Sequence, residues 1–582
     1  MAKTYLEVLP GAKLALVDAS ESVGGTWAAE RLYPGLKTNN LVGSYEFSDF
    51  PMEPDRYGLR EGQHIPGQVV HRYLSDFVAH YGIPVRLRTE ATSATIQDDG
   101  RWALTYRTRP CAVEGPEATT SIAEGRLVAA RLVLATGLTS EPSIPKFIGQ
   151  QDFNGCIMHS KQLKSRSKEL SDAEVVVVLG GNKSAWDVCY SAATSGAQVH
   201  MVMRPTGGGP SRVWPVALRL LGLFATSIAR LSSTRACSWL DPAPFGGNGW
   251  LAWLLHRTAL GRAVCALFWA HLDERVNASN GYDKHPGTRP LRPWTSTFWM
   301  GNSLSIHNYD TNWFDLARKG KIQVHIADVT HLGERAAYLS DGTRIDTDMI
   351  VCCTGWKAEP TIKFLPEGLG AQLGLPCSTL PSGHMENNDE EVIAQEARRQ
   401  LLRDIPYLRH KPVSKAPRNK SLEGKGEEDA SLRSDRAVSY RLYRFLVPWQ
   451  PRFLETRNFA VIGAHLSIHA VLLAQVQALW ITAYFQDRLP NLARSDPQAL
   501  ARARSDAFLH AEYERLRHPP EAGGSGEHFP DLVFDSIPYV DMLLRDMGLQ
   551  TRRKGNWWKE MIEPYRLSDY RAIAQEWQAL WI

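Results

Sequence analysis

Residues able to hold a dinucleotide stand at two places in this chain. At Gly180–Ala185 the stretch GGNKSA follows a run of valines and opens a helical pattern. Such a turn aims backbone N–H groups at the start of a helix, where a pyrophosphate can be received. Gly180 holds the first place of a G-x-G-x-x-G pattern, Asn182 the second and Ala185 the third, with Ser184 in the same turn. Asn tolerates positive φ better than most residues, and Ala still permits close packing of helix on strand. The next strand ends in HMVMRP, placing Arg204 where an acidic residue would bond a ribose hydroxyl. A cation there suits a 2′-phosphate, hence NADP(H); the competing reading is a solvated surface arginine.

The second place lies near the start. Asp18 ends the strand LALVD, and a carboxylate in that position bonds the ribose of a nucleotide whose phosphates rest about 20 residues upstream. Counting back from Asp18 puts that glycine turn before Met1, so the first G-x-G-x-x-G reads as absent and the chain as beginning inside a fold. What precedes the strand, MAKTYLEVLP, has Leu6 and Leu9 spaced for one helix face and Pro10-Gly11 as a stop. After Asp18 comes ESVGGTW: Gly24 and Gly25 let backbone pass close to a ligand, Thr26 follows them, and Trp27 offers a flat apolar wall.

These turns need strands and helices to carry them. Over the first 360 or so residues, strand-like runs and glycine turns alternate with helical patterns, the signature of an α/β chain with parallel sheets. RLVLATGL (Arg131–Leu138) and RIDTDMIVCCTGW (Arg344–Trp356) repeat one shape, and between them lies a complete strand, turn, helix and strand unit. The expected fold is therefore two dinucleotide-binding (Rossmann-like) domains, the NADP domain inserted in the other, which the resemblance named below makes the FAD domain. The expected boundaries are 1–150 for the first part of that outer domain, 151–344 for the NADP domain, 345–490 for the second part of the outer domain, and 491–582 for a helical C-terminal extension. Within them, 212–275 reads as an apolar helical insertion and 386–436, rich in charge and small residues, as a flexible surface loop.

Composition narrows the function classes. A chain of 582 residues with 43% hydrophobic and 22% charged residues can bury a large core, and a net charge of only +4, scattered throughout, gives no footprint for nucleic acid. Eight cysteines show no CxxC spacing, no metal-ligand set is read, and neither a signal peptide nor a run of about 18 apolar residues occurs. A cytoplasmic, reducing setting fits best. Cys352-Cys353 reads as a buried structural pair, because neighbours on a strand point to opposite faces. The insertion is broken by arginines, which excludes a membrane span but permits amphipathic helices that roof a substrate path or touch a membrane peripherally.

GGTWAAERLYPGLKTNN and FSDFP resemble the class B flavin-dependent monooxygenases, which include the flavin-containing and the Baeyer–Villiger monooxygenases. FNGCIMHSKQL (Phe153–Leu163) matches most of that group's FxGxxxHxxx(Y/F/W) fingerprint, with Leu163 in place of the aromatic. Two ATG-like turns and VIGAHLS…AQVQALW complete a resemblance over roughly residues 1–490. It implies FAD and NADPH as cofactors, a small, fairly apolar organic substrate and O2 as partners, a C4a-peroxyflavin as the oxygen donor, and a place in secondary metabolism. By the same resemblance Thr38-Asn39 falls on the TN pair of the flavin-containing type, making Asn39 the amide near the flavin; shaping a loop is its other reading. His159 is expected to brace the hinge between domains rather than act as a base. Gly463 is expected to face the flavin, with Gln475 and Gln477 capping it, and Trp480 to be core. HSKQLK and the TN pair lean to heteroatom oxygenation, whereas GGTW and YPGL recur in ketone-oxidising relatives. A flavin reductase or oxidase without oxygen transfer, and a non-catalytic relative that lost FAD, are the alternatives.

Overall fold

The computed structural model describes residues 1–110, 122–220, 224–246, 249–299, 305–377, 388–413 and 440–581. The chain opens with helix α1 (Ala2–Val8) and strand β1 (Leu16–Val17), followed by β2 (Lys37–Leu41), β3 (His64–Pro66), α2 (Gly67–His80), β4 (Val85–Arg86), β5 (Thr89–Ile96), β6 (Trp102–Thr108), β7 (Ala123–Ala129) and β8 (Leu132–Leu134). In α1 the packed face is Met1, Tyr5 and Val8 rather than Leu6 and Leu9, because the helix lies against a long apolar helix near the end of the chain. β1 pairs with β4 in parallel, and β5, β6 and β7 form an antiparallel ladder.

The second unit begins at β9 (Cys156–His159) and continues through β10 (Val175–Leu179), α3 (Lys183–Ser195) and β11 (Gln198–Met203). The insertion then contributes α4 (Arg235–Leu240), α5 (Trp250–Arg257) and α6 (Ala259–Asn280), after which β12 (Ile322–Ile326), the meander β13 (Val329–Gly333), β14 (Ala336–Leu339) and β15 (Arg344–Asp346), and β16 (Met349–Cys352) return. Five of these strands form one parallel sheet in the order β12-β11-β10-β16-β9. β10 is central, so its valines are covered on both faces, which is why the strand reads as an unbroken apolar run rather than an alternation. Each such fully buried valine contributes roughly 1.5–3 kcal/mol of transfer free energy.

Two expected limits need correction. β16 hydrogen-bonds to β9 and β10, so the second unit extends through Cys352, beyond the boundary drawn at 344/345. An apolar strand running into a glycine looks alike in either sheet; only pairing decides its membership. Cys352 and Cys353 are both buried and face two different hydrophobic clusters, as expected of neighbours on a strand. Within the expected loop 386–436, residues Asn388–Asp404 form helix α7. Its Ala394, Ala397 and Leu401 are buried at helical spacing, and Asp389, Glu390 and Glu391 occupy the first turn, where the helix dipole favours acids. Residues 414–436 lie outside the described residues.

The chain closes with β17 (Lys363–Leu365), which joins the edge of β5, and β18 (Phe459–Val461), which pairs in parallel with β8. Helices α8 (Ala470–Phe485), α9 (Ala499–Arg517), α10 (Ser536–Asp546) and α11 (Trp557–Ile562) follow. α8 is buried nearly all round, and Trp480 is core as expected. The C-terminal helices pack on α8 and on the insertion, building the largest hydrophobic cluster.

Candidate functional site

At the end of β10 the chain turns on two glycines that no other residue could replace. Gly180 has φ +129, and a Cβ there would collide with the Cys353 carbonyl oxygen; one on Gly181 would stand 2.6 Å from the Gly209 carbonyl oxygen. Asn182 is the N-cap of α3 with φ −86 and ψ 174, so the tolerance of positive φ expected of it is not used. Its side chain caps nothing, and the first bond inside the helix runs from the Ala185 N–H to the Asn182 carbonyl at 2.8 Å. The N–H groups of the first turn, at Lys183 and Ser184, are thus left for an anion at the positive end of a 13-residue helix. Ala185 is fully buried against the sheet, and Arg204 is exposed directly after β11. These residues fit a dinucleotide pyrophosphate.

On the flavin side Asp18 follows β1, half-buried, and one carboxylate oxygen accepts the Ser20 N–H at 2.8 Å. Gly24 has φ +122, and a Cβ on it would sit 3.0 Å from the Trp27 backbone. Thr26 reaches the loop after β8, its hydroxyl 3.4 Å from that of Thr139, and Arg31 donates to the same Thr139 oxygen. The Trp27 indole N–H donates to the Tyr45 hydroxyl at 3.1 Å. Gly25, Gly137 and Gly463 all have positive φ and no atom within 4 Å of where a Cβ would stand, so three loop glycines border open space. A small cleft of about 40 Å³, lined by Thr136, Gly137, Leu138 and Ala464 among others, lies between these loops. His465 and His469, on the loop after β18, are half-buried, and burial pushes their imidazoles down to about 4. The open loop glycines let backbone come close to a ligand, as a bound flavin nucleotide requires.

The glutamines of α8 are engaged elsewhere. Gln477 is buried: its Oε1 accepts the Gly463 N–H at 3.3 Å and its Nε2 donates to the Tyr539 hydroxyl at 3.1 Å. Gln475 binds Ser48 and the Tyr570 carbonyl, locking the FSDF turn to the C-terminal extension. Neither is free to cap a flavin ring, and the Gly463 N–H is already satisfied. His159 is likewise fully employed. Its Nδ1 accepts the Lys161 N–H at 3.1 Å, so Nε2 carries the proton and donates to the Gly355 carbonyl at 3.1 Å. Its ring edge rests on Trp356, which also lies under the Arg31 guanidinium. The residue ties the end of β9 to the segment linking the two units.

Asn39 sits in the middle of β2, half-buried, with Thr38 and Asn40 buried on the other face of the strand. The Thr38 hydroxyl donates to the Asn40 carbonyl at 2.6 Å and accepts the Ile65 N–H, while the Asn40 amide donates to the Ile468 carbonyl at 2.9 Å. The strand is thus fastened to the 463–469 loop. From the other side comes a network that the sequence reading missed. Lys183 forms an ion pair with Asp187 and donates to Asn308 Oδ1 at 2.9 Å and the Tyr309 hydroxyl at 3.2 Å. Asn308 Nδ2 donates to the carbonyls of Lys37 and Thr38, in the two peptide units that precede Asn39, at 3.2 and 3.3 Å. Tyr33 and Tyr309 both donate to Asp187 at 2.9 Å. Burial and the Asp187 charge keep both phenols protonated, and His307 beside Lys183 is pushed down to about 4, mainly by burial. One signal was available, the i,i+4 Lys-Asp pair in NKSAWD; the other partners lie more than a hundred positions away from it. The nucleotide turn and the strand bearing Asn39 are thereby one hydrogen-bonded piece.

Two interlocked nucleotide folds that meet at β2 define a flavoprotein oxidoreductase class. A family model described as pyridine nucleotide-disulphide oxidoreductase matches residues 112–216. An FAD-dependent monooxygenase of Pyrenophora dematioidea is 32% identical over 95% of this chain and 96% of its own length. FAD-dependent monooxygenase rstn6 of Aspergillus nomiae is 31% identical over 99% and 96%. The chain belongs to the FAD-dependent monooxygenases. In fold it matches closed cyclohexanone monooxygenase, with TM-score 0.53 at 15% identity over 99% of this chain and 94% of that one. It also matches an oxidised steroid monooxygenase bound to NADP, with TM-score 0.51 at 14% identity over 94% and 96%.

Proposed function

We propose that this enzyme takes reducing equivalents from NADPH and places one atom of O2 into a small, fairly apolar organic substrate of secondary metabolism. The observation that carries the reading is the bonded path from the α3 N-terminus through Lys183 and Asn308 to the backbone around Asn39. In this reading the Lys183 and Ser184 N–H groups receive the NADPH pyrophosphate, Arg204 meets its 2′-phosphate, and Asp18 bonds the FAD ribose. Gly24, Gly25, Thr26, Trp27 and Thr38 line or brace the flavin site. Bound FAD supplies hydride acceptance and oxygen activation at its C4a carbon. The chain's own part is positional: β2 is fixed from both sides, so the Asn39 amide holds a set place towards the flavin edge. The naming of a fold relative as NADP-bound and of the sequence relatives as FAD-dependent supports the choice of cofactors.

The test is isotopic. With labelled O2, NADPH and candidate ketones and thioethers, the reading expects one labelled oxygen in the product per NADPH consumed. Hydrogen peroxide released in full stoichiometry with every substrate class offered would instead make the protein an oxidase.

A further inference from the structure

We propose that the α5–α6 hairpin of the insertion docks the enzyme on an anionic lipid surface. Trp250 is 74% exposed, Trp253 55%, Leu260 75% and Leu267 70%, with Leu254 and Val264 between them. These are not scattered positions. Leu260, Val264 and Leu267 recur at one face of α6, opposite the buried Cys265, Trp269 and Leu272, and Trp250, Trp253 and Leu254 do the same on α5, in which no residue is buried. Gly261 holds the two helices in contact, since a Cβ there would stand 2.5 Å from Leu255 Cα, and Thr258 caps α6 at the junction. The two apolar stripes are joined at that corner into one surface of a kind that soluble monomers rarely expose.

Charge selects the occupant. From residue 242 to residue 272 the chain carries no Asp or Glu; at the corner of the hairpin Arg257 is paired with Asp404 of α7, and Arg262 is the cation left for the docked surface, its guanidinium donating to the Arg257 carbonyl. A second copy bound about a two-fold axis would bring arginines towards arginines with no acid of the hairpin to meet them. An anionic headgroup layer accepts both features: tryptophans prefer the boundary between headgroups and acyl chains, and arginines pair with lipid phosphates. Trp557 and Trp558 are likewise exposed on α11, which packs on α4 as α5 does, with exposed Arg552 and Lys559 nearby. Among the described residues no helix is long and apolar enough to cross a membrane, so the hairpin lies on the surface. The insertion also touches the flavin-side loop, the Ser232 hydroxyl lying 2.9 Å from His469 Nε2, so the docked face and the site belong to one packed body.

Docking does not rest on the proposed reaction, and its test reads binding alone. The FAD-loaded chain is floated with vesicles of phosphatidylcholine, with and without phosphatidylserine. Expected are flotation with the anionic vesicles and a loss of about tenfold or more in the Trp253→Ser/Leu260→Ser/Leu267→Ser variant, whose melting temperature should stay unchanged. Arg262→Glu should weaken binding to anionic vesicles selectively. The proposal fails if the wild type sediments with both vesicle types, if the triple variant floats equally well, or if light scattering shows a dimer that the triple variant abolishes.

Discussion

Two of the polar networks in this protein are built on opposite principles. The network at the site sets one cation, Lys183, against one anion, Asp187, and completes the shell with two phenols and an amide. The other joins the insertion to the C-terminal extension and sets four carboxyl groups, Asp241, Glu514, Asp531 and Asp535, around one guanidinium, Arg517. Burial keeps His518 neutral, pushed down to about 4, so it supplies no second charge. Protons make up the deficit: burial raises Glu514 to about 8 and Asp531 to about 6, and burial together with Asp241 raises Asp535. Asp241 is held below the usual carboxylate range: burial would raise it, but Arg517 at 2.9 Å and a hydrogen bond with Asp535 together outweigh burial. A network with more buried carboxyl groups than cations makes stability depend on pH.

The largest expected effect comes from breaking the unbalanced network. Arg517→Leu leaves the carboxyl cluster without its cation and should cost about 3–5 kcal/mol in denaturant unfolding. A smaller loss of stability but a larger loss of function is expected from Lys183→Met. Breaking its charge-assisted bonds, worth about 1.5–3 kcal/mol, should lower kcat/KM for NADPH roughly tenfold to a hundredfold and raise the share of NADPH lost as peroxide. Lys183→Arg should restore part of the coupling.

Sharpening the contrast calls for pH. The folded pKa of Glu514 lies above the ordinary carboxyl value near 4.3, so the folded state holds the extra proton. Its contribution is fully present below that ordinary value and is lost as pH rises through about 8. Unfolding free energy should therefore fall from pH 6 to pH 9, and Glu514→Gln should flatten the slope, gaining about 2 kcal/mol at the alkaline end. Arg204→Ala lies outside both networks. It should shift the NADPH-over-NADH preference by about tenfold and leave unfolding unchanged.

The second nucleotide unit was legible because its signals are local. Valines buried on both faces and a turn that needs Gly180 can be read within about a dozen residues. What escaped depends on distant partners. Nothing near Asn308 announces that its amide will hold the backbone of Lys37 and Thr38, and Gln475 and Gln477 look like ligand contacts until Ser48 and Tyr539 are seen to claim them. The boundary expected at 344/345 falls before β16 because that strand's apolar run fits either domain, and only its pairing with β9 and β10 decides. α7 was hidden by its charge, although Ala394, Ala397 and Leu401 keep helical spacing. Asn182 was credited with a backbone role that its observed φ does not require.

The account stands or falls on whether the two nucleotide sites work as a pair across β2. Mixing the FAD-saturated enzyme with NADPH in the absence of oxygen, and following the visible flavin band, tests this directly. Bleaching that is rapid in the wild type and slowed in Lys183→Met is the predicted result; a band that NADPH leaves untouched in the FAD-loaded wild type would contradict it.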